Sequence, residues 1–334
     1  MSFRKTLVAA LGALAILAGL GASEAHAAEV IKIGTLAPKQ SVWGQVFQVW
    51  ETAVKKKSGE KLQLQFFYSG QQGDEGAMVG KMKAGQLDGA AITAVGLSKI
   101  YKPILALQLP GALTTWDKLE AAQDALKGDF EKGLGDANFK LLGWGHVGRA
   151  HLFLKGGSPV VKPADIQKRK PYMWRDDEVS PKFYQAIGGV NPVPLNVPEV
   201  LPQLKTGAVD MLNAPALAVE QLQWSGYLDQ ASNQVTGCAI GALVVTTGRM
   251  KSLPGDLRTI LTDTGAIAGK ALTTKIKAED EAAFARMTKD DAKMKKFNVD
   301  EAAFKEVFKK TRTALGQGVF TPELVKKIEA IGGV

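Results

Sequence analysis

Side chains able to carry covalent chemistry are sparse in this sequence of 334 residues. After residue 27 the histidines are His146 and His151 alone, at no spacing familiar for zinc, and no cysteine stands close to them. Cys238 is the one cysteine of the chain. It lies in the apolar run from Thr236 to Val245, where a thiol reads as a small core residue rather than a nucleophile. Gly70, Gly73, Gly76 and Gly80-Lys81 are spaced somewhat like a phosphate loop, but that loop needs glycine at Glu75 and a hydroxyl residue at Met82. A Gly-x-Ser-x-Gly nucleophile elbow is absent, and the carboxylates fall mostly on helix surfaces. These residues argue for binding rather than turnover, with no catalytic residue, metal or cofactor expected.

The formal net charge is +9, which favours an anionic solute or surface by long-range attraction. Lys55-Lys56-Lys57 and the group Lys293, Lys295 and Lys296 fall at the ends of expected helices without interleaved aromatic residues, so no nucleic-acid partner is expected. Arg4-Lys5, the apolar run Leu7 to Leu20 and Ala25-His26-Ala27 form a cleavable export signal over residues 1–27, with Ala28 as the first mature residue. That run is shorter than the ~20 residues that span a bilayer. With one cysteine there is neither an intramolecular disulfide nor a lipid attachment at the cleavage site. A periplasmic, unanchored monomer is the expectation.

The elements that would position a binding site contain a repeat. Met82-Lys83-Ala84-Gly85-Gln86-Leu87-Asp88 leads into Gly89 to Ile92, and Leu204-Lys205-Thr206-Gly207-Ala208-Val209-Asp210 leads into Met211-Leu212. In each copy lysine suits the negative end of a closing helix, glycine permits a left-handed turn, and Asp precedes a short buried strand. Two such units imply two similar α/β lobes with a cleft between them. In the first lobe, residues 28–147, strands are expected at Val30 to Thr35, at Leu62 to Phe66 and after Asp88. Helices are expected from Trp43 to Lys57, from an Asp74 cap to Lys83 and from Trp116 to Leu134, with an exit strand over Lys140 to Trp144. The β-α-β-α-β order argues for parallel strands. In the second lobe, residues 148–245, strands are expected at Ala150 to Lys155, Lys170 to Trp174 and Val193 to Leu195. Its helices cover Ser180 to Ile187 and Val197 to Lys205, where Pro202 strains the interior. Residues 246–334 read as helices packed across both lobes: one long or two nearly continuous over Asp256 to Asn298, then Val299 to Leu315 and Pro322 to Ile331.

Ile31-Lys32-Ile33-Gly34-Thr35 with Ser41 and Trp43, Gly70 to Glu75, Gly85 to Asp88, Arg149, Pro163-Ala164-Asp165-Ile166 and Gly207 to Asp210 occur in a familiar order. The chain resembles, over essentially its whole length, the solute-binding proteins of tripartite ATP-independent periplasmic (TRAP) transporters, the dicarboxylate-binding type. The resemblance implies a two-lobed α/β, type II periplasmic-binding fold that closes on a small organic anion and delivers it to the membrane subunits of a TRAP permease. Such proteins hold the carboxylate with arginine, whose rigid fork makes two parallel charged hydrogen bonds. One arginine position matches Arg149. The other falls on Tyr172; Arg175 offers a replacement charge, although strand alternation points it away from the face shared by Tyr172 and Trp174. The family's asparagine falls on Ala214, with Asn213 beside it. Trp43, Asp74 or Glu75, Thr93 and Val197 are the other implied contacts, each with a plainer role open: Trp43 and Val197 as packing, Asp74 as a helix cap. Trp224 is open between the cleft and the lobe surface. A wall more aromatic and less cationic than usual implies a monocarboxylate with an apolar or aromatic body. Alternatives on the same scaffold are an exported enzyme or sensor subunit, or the binding protein of an ATP-driven transporter.

Overall fold

The computed structural model describes residues 28–334, so the expected export signal lies outside the described residues. β1 (Glu29–Thr35), α1 (Val42–Lys57), β2 (Leu62–Phe67), α2 (Glu75–Lys83) and β3 (Gly89–Thr93) alternate, and both β2 and β3 run parallel to β1. Local chemistry explains the boundaries. The Ser41 hydroxyl accepts the Gly44 N–H to start α1, and the Asp74 carboxylate accepts the Glu75 N–H to start α2. Alternation in β2 buries Leu62, Leu64 and Phe66, and Phe66 stacks on Phe47 of α1 with ring centres 4.8 Å apart.

The repeated phrase has the same structure in both lobes. Gly85 and Gly207 take left-handed φ values of +70° and +74°. Asp88 then accepts the Lys32 N–H at 2.8 Å, and Asp210 accepts the Lys170 N–H at 2.7 Å. Each aspartate thus ties the turn to backbone laid down earlier in its own lobe.

After α3 (Ala94–Ser98) and α4 (Trp116–Asp136), β4 (Phe139–Leu154) departs from expectation. The sequence pattern divides this stretch into two strands at a lobe junction near residue 148, whereas the chain makes one strand of 16 residues. Bulges between Leu141 and Gly143 and between His146 and Gly148 absorb the residues that break the alternation. The second lobe holds β5 (Tyr172–Trp174), α5 (Ser180–Ile187), β6 (Val193–Leu195), α6 (Val197–Thr206), β7 (Met211–Pro215), α7 (Ala216–Gln221) and β8 (Gln230–Ser232). β5 and β6 form a small parallel ribbon, while β7 and β8 pair antiparallel with β4. α6 runs through Pro202, forgoing the hydrogen bond that the Pro198 carbonyl would receive.

β9 (Gly237–Thr246) lies antiparallel to both β4 and β3. Residues 241–245, which the pattern assigns to the second lobe, therefore pair with β3 of the first, while 237–240 pair with β4 alone. Their apolar side chains suit a central strand buried on both faces. α8 (Thr247–Ser252), α9 (Gly255–Thr288), β10 (Lys295–Phe297), α10 (Glu301–Gly318) and α11 (Pro322–Gly332) complete the chain. The helix expected to reach Asn298 stops at Thr288, and Lys295 and Lys296 sit on an edge strand parallel to β8 rather than at a helix end. Lysines on an edge discourage further strand pairing. The main sheet has the order β10-β8-β4-β9-β3-β1-β2, with β7 also paired to β4.

α9 joins the lobes. Its Thr264 accepts the indole N–H of Trp50 on α1 at 3.0 Å, and its Asp280 accepts the N–H groups of Arg149 and Leu217 at 2.8 and 2.9 Å. These two anchor points are about 24 Å apart along the helix axis. Glycine allows α9 to lie directly on β4: a Cβ on Gly269 would stand 2.6 Å from the Trp144 carbonyl oxygen. α10 bridges in the same way, since Phe304 and Phe308 pack with Phe183 in the second lobe while Arg312 donates to the Pro110 carbonyl at 2.8 Å. Among the described residues no helix is long and apolar enough to cross a membrane.

Candidate functional site

The carboxyl ends of β1, β3 and β7 and the bulged middle of β4 surround a cavity of about 290 Å³ between the lobes. Ligands of open α/β sheets gather at such strand ends, where loops are free to vary. Large aromatic side chains stand on the wall among aliphatic ones: Trp43 at the start of α1, Tyr172 and Trp174 on β5, Tyr184 on α5, and Trp224. Trp224 is 4% exposed, which settles its position in favour of the cavity wall over the lobe surface. Thr93, Val197, Asn213 and Ala214 also line the space. Asn213 Oδ1 accepts the Thr236 hydroxyl at 2.7 Å, and the Trp43 indole donates to the His146 carbonyl at 3.3 Å.

Glu75 is buried at the cavity floor, where it accepts the Thr93 N–H at 2.8 Å, the Thr93 hydroxyl at 2.7 Å and the Gly96 N–H at 2.8 Å. Burial outweighs these donors and pushes its pKa up to about 8, so the carboxyl is mainly protonated at neutral pH. Asp74 stands just outside the wall. Its Oδ2 accepts the Trp174 indole N–H at 2.8 Å and the Val197 N–H at 3.4 Å, so one first-lobe carboxyl holds β5 and α6 of the second lobe. Burial raises its pKa against those hydrogen bonds. Lys102 with Glu178 at 2.8 Å and Lys99 with Asp176 at 3.8 Å join the lobes further out.

The two arginines expected at the site are not brought into it. The bulge between His146 and Gly148 breaks the strand alternation, and Arg149 emerges towards α4 and α9 instead of the cavity. Its guanidinium donates to Glu281 at 3.1 Å and lies 6.0 Å from the Trp116 ring centre. Arg175 points outward, as its odd offset from Tyr172 dictates, and donates to Glu199 at 3.1 Å. No lysine or arginine lines the cavity among the described residues.

Residues missed from sequence are Asp177 and His146, both on the wall. Asp177 had a local signal, because a residue ahead of Ser180-Pro181 is placed to cap the helix that follows; its oxygens accept the Val179 and Ser180 N–H groups at 2.9 and 3.0 Å. His146 had none, since its place depends on the bulge. Its ring stacks on Trp116 with centres 4.9 Å apart, and burial lowers its pKa to about 4. Among the described residues no group of three or more His, Cys, Asp and Glu side chains is placed to hold a metal.

Solved structures share this architecture. A TRAP periplasmic solute-binding protein from Sulfurospirillum deleyianum with bound succinate aligns with a TM-score of 0.83 at 18% identity, covering 91% of this chain and 100% of that one. One from Sulfitobacter with bound β-D-galacturonate gives 0.82 at 15% identity, with coverage of 92% and 100%. Another, from Ralstonia eutropha with bound (S)-2-acetolactate, gives 0.82 at 17% identity, with coverage of 91% and 98%. At these identities the likeness speaks for the fold, two lobes of α/β structure around a cleft. The sequence itself matches the family model DctP, described as bacterial extracellular solute-binding protein, family 7, over residues 33–315, and the chain belongs to that family.

Proposed function

We propose that this chain is the periplasmic binding component of a TRAP transporter, which captures one small organic acid between its lobes and presents it to the membrane permease subunits. A single observation carries the reading: a cavity between the lobes walled by Trp43, Tyr172, Trp174 and Trp224 from both of them. The acid bears an apolar or aromatic body, which these rings take up by stacking and by excluding water. Covering about 200 Å² of that body contributes about 5 kcal/mol, more than half of the ~8 kcal/mol that micromolar affinity requires. Tyr172 stands at the position where the family resemblance expects arginine, and its hydroxyl donates one hydrogen bond to the ligand carboxylate in place of a fork. The acids named in the similar structures support the solute class. The lobes part within β4 near residue 148, and opening releases Asp74 from Trp174 and Val197 while β4 and β9 bend.

Native mass spectrometry of protein purified from the periplasm tests the proposal. One equivalent of an organic acid, lost on denaturation and restored by adding the pure compound, is the expected result. Protein that copurifies with nothing, and whose melting temperature no carboxylic acid raises, overturns it. Steady conversion of the copurified compound would replace binding with the enzyme reading.

A further inference from the structure

The cavity wall carries a polar group whose hydrogen-bonding capacity is unused. The Tyr172 hydroxyl is buried without a hydrogen-bond partner, and the residue, 9% exposed, is on the cavity wall. Burial first, and then the nearby carboxyls of Asp74 and Asp177, hold its phenol far from ionising, and the mainly protonated Glu75 stands close by. His146 Nδ1 is also buried without a partner, on a ring stacked against Trp116. Its Nε2 lies 3.3 Å from Glu120 Oε1, an acceptor that requires the proton on Nε2. In a neutral ring Nδ1 is then an acceptor.

Among the described residues no lysine or arginine on the wall faces Asp177. Lys99 and Lys102 reach the second lobe, but they pair with Asp176 and Glu178 outside the cavity. Asp177 accepts the Val179 N–H, the Ser180 N–H and the Ser180 hydroxyl, which leaves one of about four carboxylate lone-pair sites open. A carboxylate ligand held by Tyr172 would add negative charge to this group and meet no fixed cation.

We propose that the captured acid also carries a basic amine, so that it binds as a zwitterion with its ammonium held between Asp177 and the faces of Trp174 and Tyr184. The ammonium supplies the charge that the missing arginine would have supplied. Aromatic faces beside a carboxylate attract a desolvated cation by their ring quadrupoles. The inference rests on the reading of the cavity as an organic-acid site, and it narrows the solutes to amine-bearing acids with an apolar or aromatic body.

Thermal-shift and calorimetric titrations with matched triplets test it, the first being phenylpropanoate, phenylalanine and phenethylamine, followed by aliphatic equivalents. Amine-bearing acids are expected to bind at least about tenfold more tightly than their amine-free partners. Asp177→Asn, which keeps one oxygen to cap α5 but turns its amide towards a group that Asp177 accepts from, is expected to erase that preference while lowering the melting temperature of the ligand-free protein only slightly. If amine-free acids bind as tightly, or if the preference survives in Asp177→Asn, the amine proposal falls while the organic-acid reading stands. Amines that lack a carboxyl and bind as tightly as the zwitterions overturn both, as does a panel in which nothing binds.

Discussion

Replacing Glu75 by glutamine separates the cost of burying a carboxyl from everything else the cavity does. Glu75 is 1% exposed, and burial lifts its pKa from 4.5 to about 8 in the folded chain. A raised acid pKa means that the folded state holds the proton more tightly than the unfolded state. The stability this confers is fully present below pH 4.5 and is lost as pH climbs through 8. At ~1.4 kcal/mol per pH unit, the loss between about pH 5 and 7.5 is about 3 kcal/mol. Glutamine cannot ionise, so its contribution is flat over that interval. Its amide does place a donor against the N–H of Thr93 or Gly96, a fixed penalty of about 1–2 kcal/mol at every pH. Urea unfolding of the ligand-free proteins is therefore expected to show the variant less stable than wild type near pH 5 and more stable near pH 7.5. The difference between them should move by about 3 kcal/mol across the interval. Parallel stability curves would refute the reasoning, because they would mean that Glu75 ionises as freely in the folded chain as in the unfolded one.

Trp174→Phe removes the indole N–H that Asp74 accepts across the cleft at 2.8 Å. Leaving that carboxylate short of a donor costs about 1–3 kcal/mol of closed-state stability, so calorimetry should show solute affinity falling about tenfold and small-angle scattering a larger ligand-free radius. Unchanged affinity and radius would remove Asp74 from the closing contact. Arg149→Met is expected to leave solute affinity within about twofold while lowering stability by about 1 kcal/mol, through loss of the Trp116 and Glu281 contacts. A tenfold loss of affinity in that variant would restore Arg149 as a ligand contact.

Much of the scaffold was legible because its signals are local. Asp74 caps α2, Ser41 caps α1, and the alternation of Leu62, Leu64 and Phe66 marks a half-buried strand; each acts within a few residues of where it is read. The doubled Lys-x-Gly phrase is of the same kind at its left-handed glycine, whereas the aspartate three residues later finds its partner far off, at the Lys32 or Lys170 N–H. The stretch Lys289 to Asn298 misled because its composition suits a helix, while the edge of β8, more than fifty residues earlier in the chain, drew Lys295 to Phe297 into a strand.

The candidate site was legible as a set of positions but not as a set of directions. The family resemblance implied Trp43, Glu75, Thr93, Tyr172, Val197, Asn213 and Ala214, strand alternation added Trp174, and all of these line the cavity. Arg149 could not be aimed from sequence, because a single bulge in β4 decides which face it leaves by. The meeting of Asp74 with Trp174, 100 residues apart, was equally hidden.

By itself the sequence determined the two α/β units, their caps and turns, the family, and an aromatic wall with Tyr172 where arginine was expected. The units, caps and turns follow from side-chain period and from residue types read against near neighbours, whereas the family and the place of Tyr172 follow from the resemblance its motifs carry. Only the tertiary structure decided that β4 runs unbroken through both lobes, that β9 pairs with β3 of the first, and that Arg149 and Arg175 stay outside the cavity that Tyr172 lines. Those outcomes depend on which distant segments share a sheet edge or a cavity wall, and burial in that shared space sets the charge state of groups such as Glu75.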